Sequence, residues 1–103
     1  MKLSIVGDVE EGKEGAALRI IDTFVEDHKG GGGVVLSAGS MRLLSLVNKY
    51  AREKGIPPVL LQSHYQLAVF NSHKVLVLHT PAYDMYDVVE MCKQAEKPFM
   101  EIK

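Results

Sequence analysis

The residues best suited to chemistry in this chain sit where apolar runs end. Gly7-Asp8 closes one run, Ser37-Ala38-Gly39-Ser40 a second, Ser63-His64 a third and His79-Thr80 a fourth. Every one of these sets is small, polar or ionisable. The turn from Ser37 to Ser40 leads from an apolar run into an amphipathic segment. Its small side chains let a ligand approach, and free N–H groups at the positive end of a helix favour a phosphate. Arg42 falls in the first turn of that helix, where a cation opposes the dipole unless an anion is near. Ser40 can equally act as a plain N-cap. His79 can serve as an acid–base residue or a ligand contact. Asp84, Asp87 and Glu90 recur every three residues near another helix start. They either stabilise the dipole or supply a ribose contact or carboxylate catalysis. Tyr83 and Tyr86 either stack on a base or pack. The expected ligand contacts are thus Gly7, Asp8, Ser37, Gly39, Ser40, Arg42, His79 and Thr80, and the catalytic candidates are Asp84, Asp87, Glu90 and His79.

Other patterns carry less. The stretch from Gly7 to Lys13 has the spacing of a P-loop, but Glu14 stands where a Ser or Thr should hold magnesium, and three acidic residues inside the loop would repel phosphate. His64, His73 and His79 lack ligand-like spacing, so no metal site is expected. No cofactor is expected either. The single cysteine, Cys92, excludes an internal disulfide and falls on an apolar helical face, as a small core residue does.

The elements that must position these residues follow from periodicity. Residues 3–6 form a short β-prone run, and 8–15 read as an acidic, glycine-bearing loop. From Ala16, the apolar residues Ala17, Ile20, Ile21, Phe24 and Val25 mark one face of a helix. His28 and Lys29 suit its C-terminal dipole, and glycines 30–33 stop it. Residues 34–36 form a buried strand. A second helix carries Leu43, Leu46, Val47, Tyr50 and Ala51 and stops at Gly55 before Pro57-Pro58. Residues 59–61 form a third strand, 65–70 a short helix and 75–78 a fourth strand. A last helix over 84–96 buries Met85, Val88, Val89, Cys92 and Ala95, and an edge strand over 99–102 follows Lys97-Pro98. Strands alternating with helices predict one α/β domain over residues 1–103, a Rossmann-like three-layer sandwich with a five-stranded parallel sheet. The expected strand order is 3-2-1-4-5, with the flavodoxin-like 2-1-3-4-5 as the alternative.

The whole chain bounds its partners. Its formal net charge is −1, with Lys and Arg interspersed among acids. No direct nucleic-acid binding is therefore expected. No apolar run approaches the ~20 residues that span a bilayer, and the start lacks a signal-peptide pattern. The expected compartment is the cytoplasm, with no membrane partner.

Several short stretches carry a resemblance. They are Ile5-Val6-Gly7, the strand and turn over 34–40, the helix end Tyr50-Ala51-Arg52-Glu53-Lys54-Gly55-Ile56-Pro57, and Lys97-Pro98-Phe99. Together they resemble the SLOG superfamily, Rossmann-like domains of the DNA-processing protein A group and of Lonely Guy-type phosphoribohydrolases. The small stand-alone members look most similar. The resemblance implies a homodimer and phosphate binding at Ser37, Gly39 and Ser40. The chain departs from the family turn, SGG-A-x-G-x-D, with Ala38, Arg42 and Leu44 in place of two glycines and the aspartate. It also lacks the family's later GT pair. Two functions stand as expectations. One is a domain that senses or sequesters a nucleotide-like ligand, with residual N-glycoside hydrolysis. The other is a non-catalytic protein-interaction module that kept the fold and lost the site.

Overall fold

The computed structural model describes residues 2–27 and 33–102. Its elements are β1 (Lys2–Gly7), α1 (Glu14–Asp27), β2 (Val34–Gly39), α2 (Met41–Lys54), β3 (Pro58–Leu60), α3 (Tyr65–Phe70), β4 (Lys74–Leu78), α4 (Tyr86–Gln94) and β5 (Phe99–Ile102). All pairings are parallel, and the sheet order is β3-β2-β1-β4-β5. The chain builds outward from β1 through β2 to β3, then crosses back to lay β4 on the other side of β1. The reversal falls between β1 and β4.

Side-chain alternation along the strands makes two cores. Leu3, Ile5, Val35, Leu76 and Leu78 face one way and pack with Ile21 and Phe24 of α1 and Leu43 and Val47 of α2. Val6, Ala38, Val75 and Val77 face the other way and pack with Ala68 and Val69 of α3 and Val88, Val89 and Cys92 of α4. The result is the three-layer sandwich that alternating periodicity predicts. Buried hydroxyls are satisfied inside it: Ser4 Oγ donates to the Ala68 carbonyl at 2.6 Å. Tyr50 ties α2 to α1 by donating to Asp22 Oδ1 at 2.7 Å. Burial, with the Asp22 carboxylate beside it, pushes the Tyr50 phenol well above its ordinary pKa.

Helix ends differ from the periodicity in instructive ways. Helix α1 begins at Glu14 rather than Ala16, and Glu14 Oε1 accepts from the Gly12 N–H at 3.2 Å. The expected stop of α1 at His28, Lys29 and glycines 30–32 lies outside the described residues. Helix α2 ends as expected: Gly55 is left-handed, and the Ile56 and Gly55 N–H groups return to the Ala51 and Arg52 carbonyls. Helix α4 is shorter than 84–96. Asp84 Oδ1 accepts from the Tyr86 N–H at 3.0 Å, outside the first turn. At the other end Lys97 N–H donates to the Cys92 carbonyl and Glu96 N–H to that of Lys93. This is a Schellman closure, with Glu96 at φ +55° in the position glycine usually takes.

Candidate functional site

The carboxyl ends of the strands gather most of the expected site residues, starting with two glycines that need no ligand to explain them. Gly7 and Gly39 have φ of +118° and +145°, and a Cβ on either would meet a backbone oxygen at 1.9 Å. For Gly7 that oxygen belongs to Leu78, and for Gly39 it belongs to Gly7. The three strand ends overlap closely, fastened by Asp8 N–H to Leu78 O (3.1 Å), Ser40 N–H to Gly7 O (3.0 Å) and Gly39 N–H to Gln62 O (2.7 Å).

This overlap carries Asp8 between β2 and β4. Ser40 Oγ donates to Asp8 Oδ1, and Thr80 Oγ1 donates to Oδ2 at 2.7 Å. Ser40 Oγ also accepts from the Leu43 N–H at 3.2 Å, so it caps α2 at the same time. Asp8 is 6% exposed. Burial alone would raise its pKa. The bonds from Ser40, Thr80 and the Val9 backbone, with the charge of Arg42, outweigh that and hold the carboxyl below its ordinary range. Arg42 itself donates from Nη1 to the Val9 carbonyl at 3.1 Å, and its Nε lies 3.9 Å from Glu14 Oε1. The cation at the start of α2 thus has anions nearby, and they come from its own chain.

The turn from Ser37 to Ser40 is accordingly well occupied. Ser37 is fully buried and donates to the Ile5 carbonyl at 2.9 Å. The N–H groups of Gly39 and Ser40 are bonded to backbone. Chain carboxylates sit at the starts of α1, α2 and α4, in Glu14, Asp8 and Asp84.

Open space lies instead over the β1–β4 reversal. A hollow of about 420 Å³ is lined by Glu10, His79, Thr80, Pro81, Asp84 and Tyr86. Two others, of about 150 and 350 Å³, adjoin it and share Glu10 and Thr80 with it. The tip over the groove is a tight turn in which the backbones of Thr80 and Tyr83 bond each other at 3.1 and 3.2 Å, and Thr80 Oγ1 accepts from the Tyr83 N–H. The Tyr86 ring is exposed and tilts against His79, with centroids 5.1 Å apart. His79 Nδ1 accepts from the Met85 N–H at 3.2 Å, and Nε2 lies 2.7 Å from Glu101 Oε1 of β5.

Of the expected residues, Asp8, Ser40, Arg42, Thr80, His79 and Asp84 meet at this edge. Asp87 and Glu90 are exposed farther along α4, and Glu90 lies 3.5 Å from Lys93. Lys13, of the P-loop-like stretch, pairs with Glu10 at 3.3 Å. His64 lies by α3 in a separate hollow of about 280 Å³. His73 accepts from the Lys2 N–H at the amino end of the sheet. Among the described residues no three His, Cys, Asp or Glu side chains gather to hold a metal ion. Burial pushes the Cys92 thiol up, away from the thiolate. Sequence reasoning missed Glu10, Glu14 and Glu101. Glu101 had a signal, since it is a charge set between the apolar Met100 and Ile102 of a strand.

Among the described residues no helix is long and apolar enough to cross a membrane. No protein-family model, no curated protein and no solved structure matches this chain.

Proposed function

We propose that this domain binds a nucleotide-like small molecule in the groove over the β1–β4 reversal and grips mainly its nucleoside part. The observation that carries the reading is the hollow of about 420 Å³ at the switch point, where open parallel sheets place their ligands. Its lining suits a base and a sugar. The exposed Tyr86 ring offers a stacking face. Asp84 and Glu10 offer carboxylate oxygens to ribose hydroxyls, the role an acidic residue has in dinucleotide-binding folds. A phosphate finds less at the β2–α2 turn, because Asp8 already occupies the positive end of α2. Phosphate groups would extend into one of the adjoining hollows, of which one is lined by Lys13 and the other by Arg42. The resemblance to SLOG domains agrees with this class of ligand. Residual N-glycoside hydrolysis would fall to Asp84 or His79, since Asp87 and Glu90 do not line the groove.

The test is calorimetric titration with adenosine, adenosine monophosphate and adenosine-diphosphoribose. Adenosine should bind no more than a few-fold more weakly than the monophosphate. Tyr86→Ala should weaken both by about tenfold, given ~1–3 kcal/mol for stacking of a base on an aromatic ring. No heat with any of the three, and no rise in melting temperature, would sink the proposal.

A second reading, the protein-interaction module, has its own observation. Helix α3 is apolar almost all round. Ala68 and Val69 are buried, yet Leu67 and Phe70 are 49% and 55% exposed on its outer side. A helix of that kind is ordinarily covered. We propose a second copy of this chain as the cover, making a homodimer.

A further inference from the structure

We propose that His79 is a proton-operated latch on the groove wall, closed when the ring is neutral and released when it is charged. The side chain is nine-tenths buried and makes three contacts at once. Nδ1 accepts from the Met85 N–H at 3.2 Å, immediately before α4. The face leans on Tyr86 of α4. Nε2 lies 2.7 Å from Glu101 Oε1 of β5, a contact with the distance of an ion pair but without the alignment of a hydrogen bond.

These contacts fix the tautomer and make the two charge states exclusive. An accepting Nδ1 carries no proton, so the neutral ring holds its proton on Nε2. In that state the Met85 anchor is intact and the buried Nε2–H is poorly paired. A second proton must go onto Nδ1. That turns the acceptor into a donor facing another donor, and the Met85 bond is lost. The same proton puts a full positive charge opposite Glu101. Each state therefore satisfies one ring nitrogen at the expense of the other. Imidazole is the side chain whose charge ordinarily changes between about pH 5 and 8, so acidification releases Met85.

The other charged groups around the ring are Glu10 and Asp84 in the groove, and Asp8 and Lys13 in the adjoining hollow. Lys13 is paired with Glu10, and Asp8 is held by Ser40 and Thr80. Glu101, with Oε1 2.7 Å from Nε2, is the group that answers the imidazolium. What moves on release is the wall bearing Asp84 and Tyr86. Met85 is the pivot, since its carbonyl accepts the Val89 N–H at 3.0 Å and its side chain is 3% exposed.

The test uses the free protein, so it stands whatever occupies the groove. Amide exchange at Met85 is followed by NMR from pH 8 to pH 5, corrected for intrinsic exchange, alongside the ring nitrogens of His79. Nδ1 should be the unprotonated nitrogen at pH 8. Protection at Met85 should fall at least tenfold as Nδ1 gains its proton. Glu101→Gln should move that transition down by about one pH unit, the smallest shift usual for losing one close opposite charge. His79→Gln should make Met85 protection independent of pH. Should that variant not fold, the parent spectrum and Glu101→Gln decide. Unchanged protection at Met85 across the range, or loss of protection without protonation of Nδ1, would overturn the latch. So would a pH-dependent loss that persists in His79→Gln.

Discussion

At the scale of single residues, Asp8 is the side chain on which the edge depends. It is nearly buried, yet two hydroxyls, a backbone N–H and Arg42 keep it ionised. Its folded-state pKa is lowered, so the unfolded chain binds the proton more readily than the folded one. Stability from this group is therefore fully present above the ordinary aspartate value of about 3.9 and is lost as pH falls through the lowered folded value. Urea midpoints of the parent and Asp8→Asn, measured from pH 5 downward, should differ by the equivalent of about 1–3 kcal/mol at pH 5 and converge near pH 2. Parallel curves over that range would show that ionised Asp8 contributes nothing. Removing Asp8 also strands the Ser40 and Thr80 hydroxyls, whose acceptor it is.

At the scale of elements, the two well-defined helix ends make a natural pair. Helix α2 closes on Gly55 and α4 closes the same way on Glu96, which sits at φ +55°. A left-handed residue with a Cβ costs roughly 1 kcal/mol. Glu96 faces solvent, so its side chain holds no packing that a glycine would forfeit. Glu96→Gly should accordingly raise stability by about 0.5–1 kcal/mol in urea titration. A loss of stability would mean that the Glu96 side chain has a use its exposure does not suggest. Gly7 and Gly39 are a different case, because there the obstacle is a backbone oxygen of the next strand rather than left-handed strain alone.

At the scale of the whole molecule, the five strands and four helices found among the described residues leave apolar surface on α3 and at the β3 edge, where Val59 and Leu60 are 40% and 42% exposed. The helical ridge of Leu67 and Phe70 is the part a second copy would cover. Light scattering at high micromolar concentration should give the mass of a dimer, and Phe70→Glu should give a monomer whose circular dichroism is unchanged. A monomer in the parent protein would remove the dimer and leave α3 to another partner.

Strand and helix periods are local properties, and so the element order, the layered class and the polar ends of the strands were legible in the sequence. The end of α2 was equally so, because a glycine before Ile56-Pro57 has one economical use. The preferred strand order came from handedness and the alternation of elements, and the sheet has that order. The contents of the edge were a different matter. Asp8 meets Ser40 across 32 residues and Thr80 across 72. Those meetings depend on register and on how closely the strand ends overlap. The glycines and Arg42 looked suited to an external anion, but their partners are the chain's own carbonyls and carboxylates, which spacing along the chain does not reveal. Glu101 reaches His79 because β5 pairs with β4 in one register, Leu78 opposite Ile102. Side-chain types at strand ends could thus be read from the sequence. Which of them spend their hydrogen bonds on one another, and which are left facing the groove, was decided by tertiary contact, because a polar group taken out of water must find its partner wherever the fold brings one.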